Sequence, residues 1–191
     1  MADIQPIILA AGASSRFGAC KLLLEHGGRT LLQHCVDKLV SLDLPTPLIV
    51  SGAWHAPLVD AHPGLDLRQN RDWRAGMGSS LAFGIRQLQA DCEAALIVLA
   101  DQPAVTGADI RSLLDTWKEN RNIVCSFYEN RRGVPAIFPR SVFAQLAILD
   151  GDRGARELLR GPRDDITSVP LASAVIDIDT PQDWKNFGES R

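Results

Sequence analysis

The segment Leu9-Ala10-Ala11-Gly12-Ala13-Ser14-Ser15-Arg16-Phe17-Gly18-Ala19-Cys20-Lys21 concentrates the chemistry of this chain. It follows an apolar run and carries small residues, two glycines, an arginine and a lysine. Small side chains let backbone N–H groups approach a phosphate closely. Arg16 and Lys21 add positive charge, and an arginine can meet a phosphate through two parallel hydrogen bonds. The expectation is a triphosphate loop in which Leu9, Ala10, Ala11, Gly12 and Lys21 lie against a nucleotide. The two commonest phosphate motifs do not fit. Five residues rather than four separate Gly12 from Gly18, and alanine rather than lysine follows, so this is not a Walker A loop. Gly12-Ala13-Ser14 lacks the second glycine of a dinucleotide fingerprint.

Carboxylates form the second group. Asp101 follows the apolar run Ala94 to Leu99, in the turn Ala100-Asp101-Gln102-Pro103. Asp177 and Asp179 flank Ile178 near the C-terminus. If that segment is a strand, pleating points the two acids to opposite faces, and one of them reaches a metal. Asp179, nearer the carboxyl end, is the expected one. Ser79 and Ser80 follow Gly76-Met77-Gly78 at a predicted helix start. Hydroxyls and free N–H groups there can bond a base or ribose, or simply cap the helix. Arg153, Arg156 and Arg160 fall on one helix face, with Arg163 just beyond. They read as an anion stripe or as a solvated face, and Arg71, Arg74 and Arg86 are the competing anion group.

These groups need elements to position them. Ile7 to Ala10, Leu48 to Val50 and Ala94 to Leu99 read as buried strands, and Asp66 to Gln69 as a short one. Apolar periodicity predicts helices over Thr30 to Asp43, Ser79 to Gln89 and Thr106 to Glu119. Strands Asn122 to Tyr128 and Val134 to Phe138 flank a turn at Glu129 to Gly133. A helix runs from a cap at Asp152 to Arg160, and Val175 to Ile178 is the last strand. Thr180-Pro181-Gln182-Asp183 opens the final helix with a cap, a proline and an acid. The β-α alternation predicts a Rossmann-like three-layer α/β/α sandwich in a single domain, residues 1–191. Its sheet is mostly parallel, with a small β-rich insertion at residues 122–138. Ligands of such sheets bind beyond the carboxyl ends of the strands.

Composition excludes other classes. Twenty Lys plus Arg against 23 Asp plus Glu give a net charge of −3, which disfavours a nucleic-acid partner. The longest apolar run is too short to cross a bilayer, and no basic segment followed by an apolar core opens the chain, so a cytoplasmic protein without membrane contact is expected. Cys20, Cys35, Cys92 and Cys125 fall in no metal spacing with His26, His34, His55 or His62, and read as free thiols.

In order along the chain, Leu9-Ala10-Ala11-Gly12 to Lys21, Asn70 to Leu81, Leu99 to Pro103, Gly133-Val134-Pro135, Gly151 to Arg156 and Asp177 to Asp183 resemble the motifs of the MobA-like nucleotidyltransferases. The resemblance is greatest to the molybdenum cofactor cytidylyltransferase subgroup. It implies that Asp101 is a Mg²⁺ ligand, with Asp179 the second candidate, and that Ser79 and Ser80 contact the nucleoside. It also implies CTP, because Leu9-Ala10-Ala11-Gly12 resembles the LAAG that accompanies cytidine rather than the LAGG that accompanies guanine; the methyl of Ala11, leaving less room than glycine would, is compatible with a pyrimidine. The implied reaction moves CMP from CTP to the phosphate of molybdopterin and releases pyrophosphate. A molybdoenzyme or its chaperone would be the downstream partner. A phosphate nucleophile is already ionised at neutral pH and needs no general base, in keeping with the absence of a Ser-His-Asp or Cys-His pattern. Catalysis by Arg16, Lys21 and Asp101 would then be positioning plus electrostatics. Three rivals remain: another phosphate acceptor, such as a sugar or alcohol phosphate; a redox reaction, as in a member acting on a heterocyclic dye; and a non-catalytic nucleotide-binding maturation factor.

Overall fold

Ile7, Ile8, Ala94, Ala95, Leu96 and Ile97 are all fully buried, a pattern that strands covered on both faces produce. They belong to β1 (Ile4–Ala10) and β6 (Ala94–Leu99), the centre of a seven-stranded sheet. The computed structural model describes residues 4–151, 154–160 and 164–189. After β1 comes a short hairpin, β2 (Glu25–His26) and β3 (Arg29–Thr30), then α1 (Leu31–Val40), β4 (Leu48–Ser51), α2 (His55–Ala61) and β5 (Leu67–Gln69). Next are α3 (Met77–Arg86), β6, α4 (Gly107–Asn120), β7 (Ile123–Tyr128) and β8 (Arg131–Pro139). The chain closes with α5 (Phe143–Leu146), α6 (Arg156–Leu159), β9 (Ile166–Pro170) and α7 (Pro181–Glu189).

The sheet order is β5-β4-β1-β6-β8-β7-β9. All strands run parallel except β8, which is antiparallel to both β6 and β7. Side chains alternate between two cores with the period of the pleat. Ile4, Ile8, Leu96 and Val98 pack with α1, α2 and α4, while Ile7, Ala95 and Ile97 pack with α3, α5 and α6. Helices therefore cover both faces, as the three-layer reading expects. Burying each Leu or Ile contributes about 1.5–3 kcal/mol, so these two cores rather than surface ion pairs hold the sheet. A third cluster joins Leu31, Ile178 and Phe187, with Phe17 and Trp184 packed against it. It clamps the C-terminal helix onto the loop after β1.

Caps set the helix starts. Thr30 Oγ1 accepts from Gln33 N at 3.1 Å, but the Gln33 amide turns to Asp37 at 2.7 Å instead of closing a capping box. Thr106 and Asp109 do close one at α4.

Three expectations change. Val175 to Ile178 is not a strand: Ala172–Val175 forms a 3-10 turn, and Ile176 is 44% exposed. The edge position belongs to β9, paired parallel to β7. The segment at 122–138 is not an appendage, since β8 pairs directly with β6 and carries the sheet onward. α3 also starts at Met77, two residues before Ser79. The predicted cap at Asp152 lies outside the described residues.

Candidate active site

Backbone turns shape the loop after β1. Phe17 N and Gly18 N both donate to Ser14 O at 2.9 Å, and Gly18 adopts φ +80°, a region open to glycine without strain. Trp54 Nε1 donates to Ala13 O at 2.9 Å and Ala53 N to Ala11 O at 3.2 Å, which tie the loop to the end of β4. The loop ends at Lys21, a buried residue opening a 3-10 turn. Its Nζ lies 2.6 Å from Asp101 Oδ2 and 3.0 Å from Asp179 Oδ1. Arg16 reaches the other oxygen of Asp179 at 2.6 Å. Burial pulls the Lys21 ammonium pKa down, but the two carboxylates outweigh it and the net shift is upward. The loop after β1, the turn at Asp101 and the segment around Asp179 thus meet at one ammonium.

The acids are fixed from behind. Ile178 N donates to Asp101 O at 2.9 Å, and Gln102 Nε2 to Ala174 O at 2.9 Å. Asp183 Oδ2 accepts from Asp179 N at 3.1 Å, Thr180 N at 2.7 Å and Thr180 Oγ1 at 2.8 Å. One carboxylate thus caps α7 and anchors the backbone of Asp179. These bonds hold the Asp183 carboxyl below its usual range, with Thr180 the main cause. Its contribution to stability is full above the ordinary aspartate range and is lost as pH falls through the lowered value. Asp183→Ala should cost about 1 kcal/mol at neutral pH, as lost caps do. That lowers the melting midpoint by about 2–4 °C, and the difference should shrink toward pH 3. A midpoint equal to the wild type at pH 7 would remove this role.

Asp177 is the strained member. The absence of a strand removes the pleating argument that separated it from Asp179. Among the described residues its Oδ1 is buried with no hydrogen-bond partner, and Gln102 Oε1 is likewise unpartnered. Burial pushes the Asp177 carboxyl up to about 6, with Asp101 and Asp179 adding repulsion and Gln102 and Lys21 offsetting part of it. The folded protein therefore binds the extra proton between about pH 4 and pH 6, and stability falls as pH rises through that window. Because the group is partly exposed, Asp177→Asn should stabilise the metal-free protein by only about 1 kcal/mol at pH 8. The gain should vanish near pH 4. Thermal melts in a chelator at both pH values test this, and no gain at pH 8 would overturn it.

Three connected clefts meet at Asp101. The first, about 360 Å³, is walled by Leu9, Ala11, Gly12, Trp73 and Ser80. The second, about 230 Å³, holds Ala10, Ser14, Arg16, Lys21 and Asp179. The third, about 270 Å³, adds Gln102, Tyr128, Arg132, Arg156 and Asp177. Ser80 is on a wall, but Ser79 is not: its hydroxyl donates to Asp72 O at 2.9 Å and Gly76 O at 3.0 Å. Asn70 Nδ2 donates to both serine hydroxyls, at 3.0 and 3.1 Å. Ser79 thus braces the wall that Ser80 lines. Gly78 permits close packing there, since a Cβ would come 2.7 Å from Asp150 O.

The predicted arginine groups separate. Arg74 stacks on Trp73 at 4.6 Å and lines the first cleft, whereas Arg86 donates to Ala147 O at 2.6 Å from the far end of α3. Arg156 and Arg160 are described; Arg153 and Arg163 lie outside the described residues. Sequence reasoning missed Tyr128, Arg131 and Arg132, whereas Trp73 lay within the Asn70 to Leu81 motif without being singled out. The one available signal was the pair of adjacent arginines at the start of a strand. Among the described residues, no three His, Cys, Asp or Glu side chains form a metal cage. Cys20, Cys35, Cys92 and Cys125 are free thiols, and no helix is long and apolar enough to cross a membrane.

A mostly parallel sheet with a cationic loop after its first strand and carboxylates converging on that loop defines a nucleotidyltransferase. The chain belongs to the MobA-like family: the MobA-like NTP transferase domain matches residues 6–167. The nicotine blue oxidoreductase of Paenarthrobacter nicotinovorans is 32% identical, over 81% of this chain and 80% of that protein. The purine catabolism protein PucB of Bacillus subtilis is 28% identical, over 93% and 92%. Among solved structures, Rv0371c of Mycobacterium tuberculosis superposes with a TM-score of 0.85 at 26% identity, covering 99% of this chain and all of that one. Its complex with manganese gives a TM-score of 0.82 at 27% identity, with 99% and 100% covered.

Proposed function

We propose that this protein, acting as a single domain, is a Mg²⁺-dependent cytidylyltransferase that moves CMP from CTP to the phosphate of molybdopterin. The observation that carries the reading is the meeting of Asp101 and Asp179 on the Lys21 ammonium, at 2.6 and 3.0 Å. Two hard carboxylates converging on one cation form a donor set suited to Mg²⁺, which takes one or two carboxylates and completes its octahedron with phosphate and water oxygens. The manganese complex of the Mycobacterium tuberculosis relative supports a divalent ion. When bound, the ion supplies positive charge to the triphosphate. Asp101 and Asp179 would hold it.

The chain's own residues do the rest. Leu9, Ala10, Ala11 and Gly12 bring small side chains and backbone against the nucleotide, with Ser80 offering a hydroxyl from the opposite wall. Ser79 positions Ser80 and the loop around Asn70. Arg16 and Lys21 neutralise the triphosphate. Arg132 and Arg156 face the acceptor phosphate, whose oxygen attacks the α-phosphorus in line. One P–O bond forms, the α–β bridge breaks, and pyrophosphate leaves as an anion. No proton needs to be removed, so no general base is required. A molybdoenzyme or its chaperone would receive the product.

The test is pyrophosphate release from CTP and, separately, from GTP, with Mg²⁺ and molybdenum-loaded molybdopterin. Release from CTP that requires the pterin supports both substrates. Release that is faster with GTP reverses the base choice, and no release from folded protein removes this acceptor. A second reading, oxidoreduction, is favoured by the 32% identity to nicotine blue oxidoreductase. Consumption of NADPH or NADH with a heterocyclic dye, followed by absorbance, would support it instead.

A further inference from the structure

Beyond the third cleft lies a cavity of about 420 Å³ lined by Phe127, Arg131, Arg132, Arg156, Leu159 and Arg160. Arg131, Arg132, Arg156 and Leu159 also line the cleft that holds Asp101, Asp177 and Asp179, so the two spaces share a wall. No carboxylate lines the outer cavity among the described residues. Four guanidiniums around one concavity contrast with a chain whose net charge is −3. The fold holds two of them in place. Arg132 Nε donates to Ser168 Oγ at 3.1 Å and Nη1 to Leu159 O at 3.2 Å. Arg131 stacks over Tyr128 at 5.2 Å and meets Glu129 at 3.0 Å. Phe127, 39% exposed, supplies an uncovered aromatic ring, and Leu159 an apolar floor. Guanidinium forks match planar oxyanions, and an aromatic face beside them suits a flat ring. The concavity has the size of a small-molecule site rather than a protein contact.

Building on the transferase reading, we propose that this outer cavity takes a second anionic group of the acceptor. The acceptor is then a phosphate ester carrying a planar ring and a second anionic group set apart from the attacking phosphate, a description that molybdenum-loaded molybdopterin meets through its pterin ring and its anionic oxo-molybdenum dithiolene. One end lies among Arg132, Arg156 and the carboxylates, and the other against Phe127, Arg131 and Arg160. Specificity for the doubly acidic molecule arises outside the reacting centre.

Binding of two aromatic probes tests this without turnover. Phenyl phosphate and 4-carboxyphenyl phosphate are titrated calorimetrically into the full chain with CTP present and no divalent metal. The carboxylated probe should bind at least about tenfold tighter, since it alone engages the outer arginines. Arg160→Ala, whose side chain lines only the outer cavity, should erase that preference with the melting midpoint unchanged. Arg160→Lys should restore it only in part, because an ammonium lacks the fork. Equal affinities, binding of neither probe, or a preference that survives Arg160→Ala would overturn the proposal. Absence of pyrophosphate release from CTP would sink the transferase reading separately, because this titration does not depend on catalysis.

Discussion

Lys21→Ala is expected to lower kcat for nucleotidyl transfer by about 10²–10³-fold, the usual loss when one preorganised donor to a developing anion is removed. Lys21 is buried to 8% exposure and its charge is held between Asp101 and Asp179, so little water can substitute for it. The substitution also takes the ammonium from between the two carboxylates and leaves Arg16 as the cation on Asp179. Both are partly open to solvent, at 24% and 35%, so the stability loss should stay near 1–2 kcal/mol, about that of a half-exposed pair, and the chain should remain folded. Lys21→Arg restores charge but places a planar fork where a compact ammonium fits, and should recover only a small part of the rate. Single-turnover assays with a circular dichroism control decide the matter. Wild-type kcat in folded Lys21→Ala would eliminate the residue from catalysis.

Asp101→Asn should have the larger effect, removing divalent-metal-dependent turnover by about 10³-fold or more. Asp101 is the one residue common to all three clefts, so no neighbouring acid occupies an equivalent place. Asparagine keeps the volume and loses the charge. Mn²⁺ binding followed by electron paramagnetic resonance should weaken in parallel. A second readout comes from Asp177, whose carboxyl is raised to about 6 partly by repulsion from Asp101. In Asp101→Asn that carboxyl should titrate lower, visible by NMR in metal-free protein. Retained turnover and an unmoved Asp177 titration would together refute the assignment.

Much of this arrangement could be read from residue order because its parts obey local rules. The Ala94 to Leu99 strand matches to the residue: a run buried on both faces tolerates only apolar side chains. The α4 cap at Thr106 is likewise local chemistry. The loop after β1 was legible as a candidate because small residues and two cations follow a strand, and the structure places both cations on Asp179. Elements fixed by tertiary contacts were not legible. α2 contains Pro57 and buries only Leu58, so it lacks helical periodicity. β9 is a half-polar edge strand, recognisable only through its pairing with β7. Val175 and Ile176 imitate a strand, yet the segment is drawn off by Ile178, which plugs the cluster beneath α7. That plug sets which way Asp177 and Asp179 face. Of the outer arginines, Arg156 and Arg160 stood out by their helical spacing, whereas Arg131 and Arg132 were hidden because Glu129 to Gly133 reads as an ordinary turn.

That turn has a wider consequence. Because β8 alone runs backwards, the chain leaves β7 and re-enters the sheet through Glu129 and Asn130, both at positive φ (46° and 57°), at the edge where the carboxylates meet. Two-residue connections with both residues at positive φ suit tight hairpins. The half of the edge proposed to hold the nucleotide is built by βα turns whose roots run into both cores. The other half is a hairpin tip, tied to its neighbours through Arg132, which donates to Ser168 and Leu159. Such a tip can change length and charge without disturbing the parallel strands behind it. On the proposed reading, the architecture divides into a donor half rooted in both cores and an acceptor half carried on one bend, where rewriting a few residues would change the second substrate.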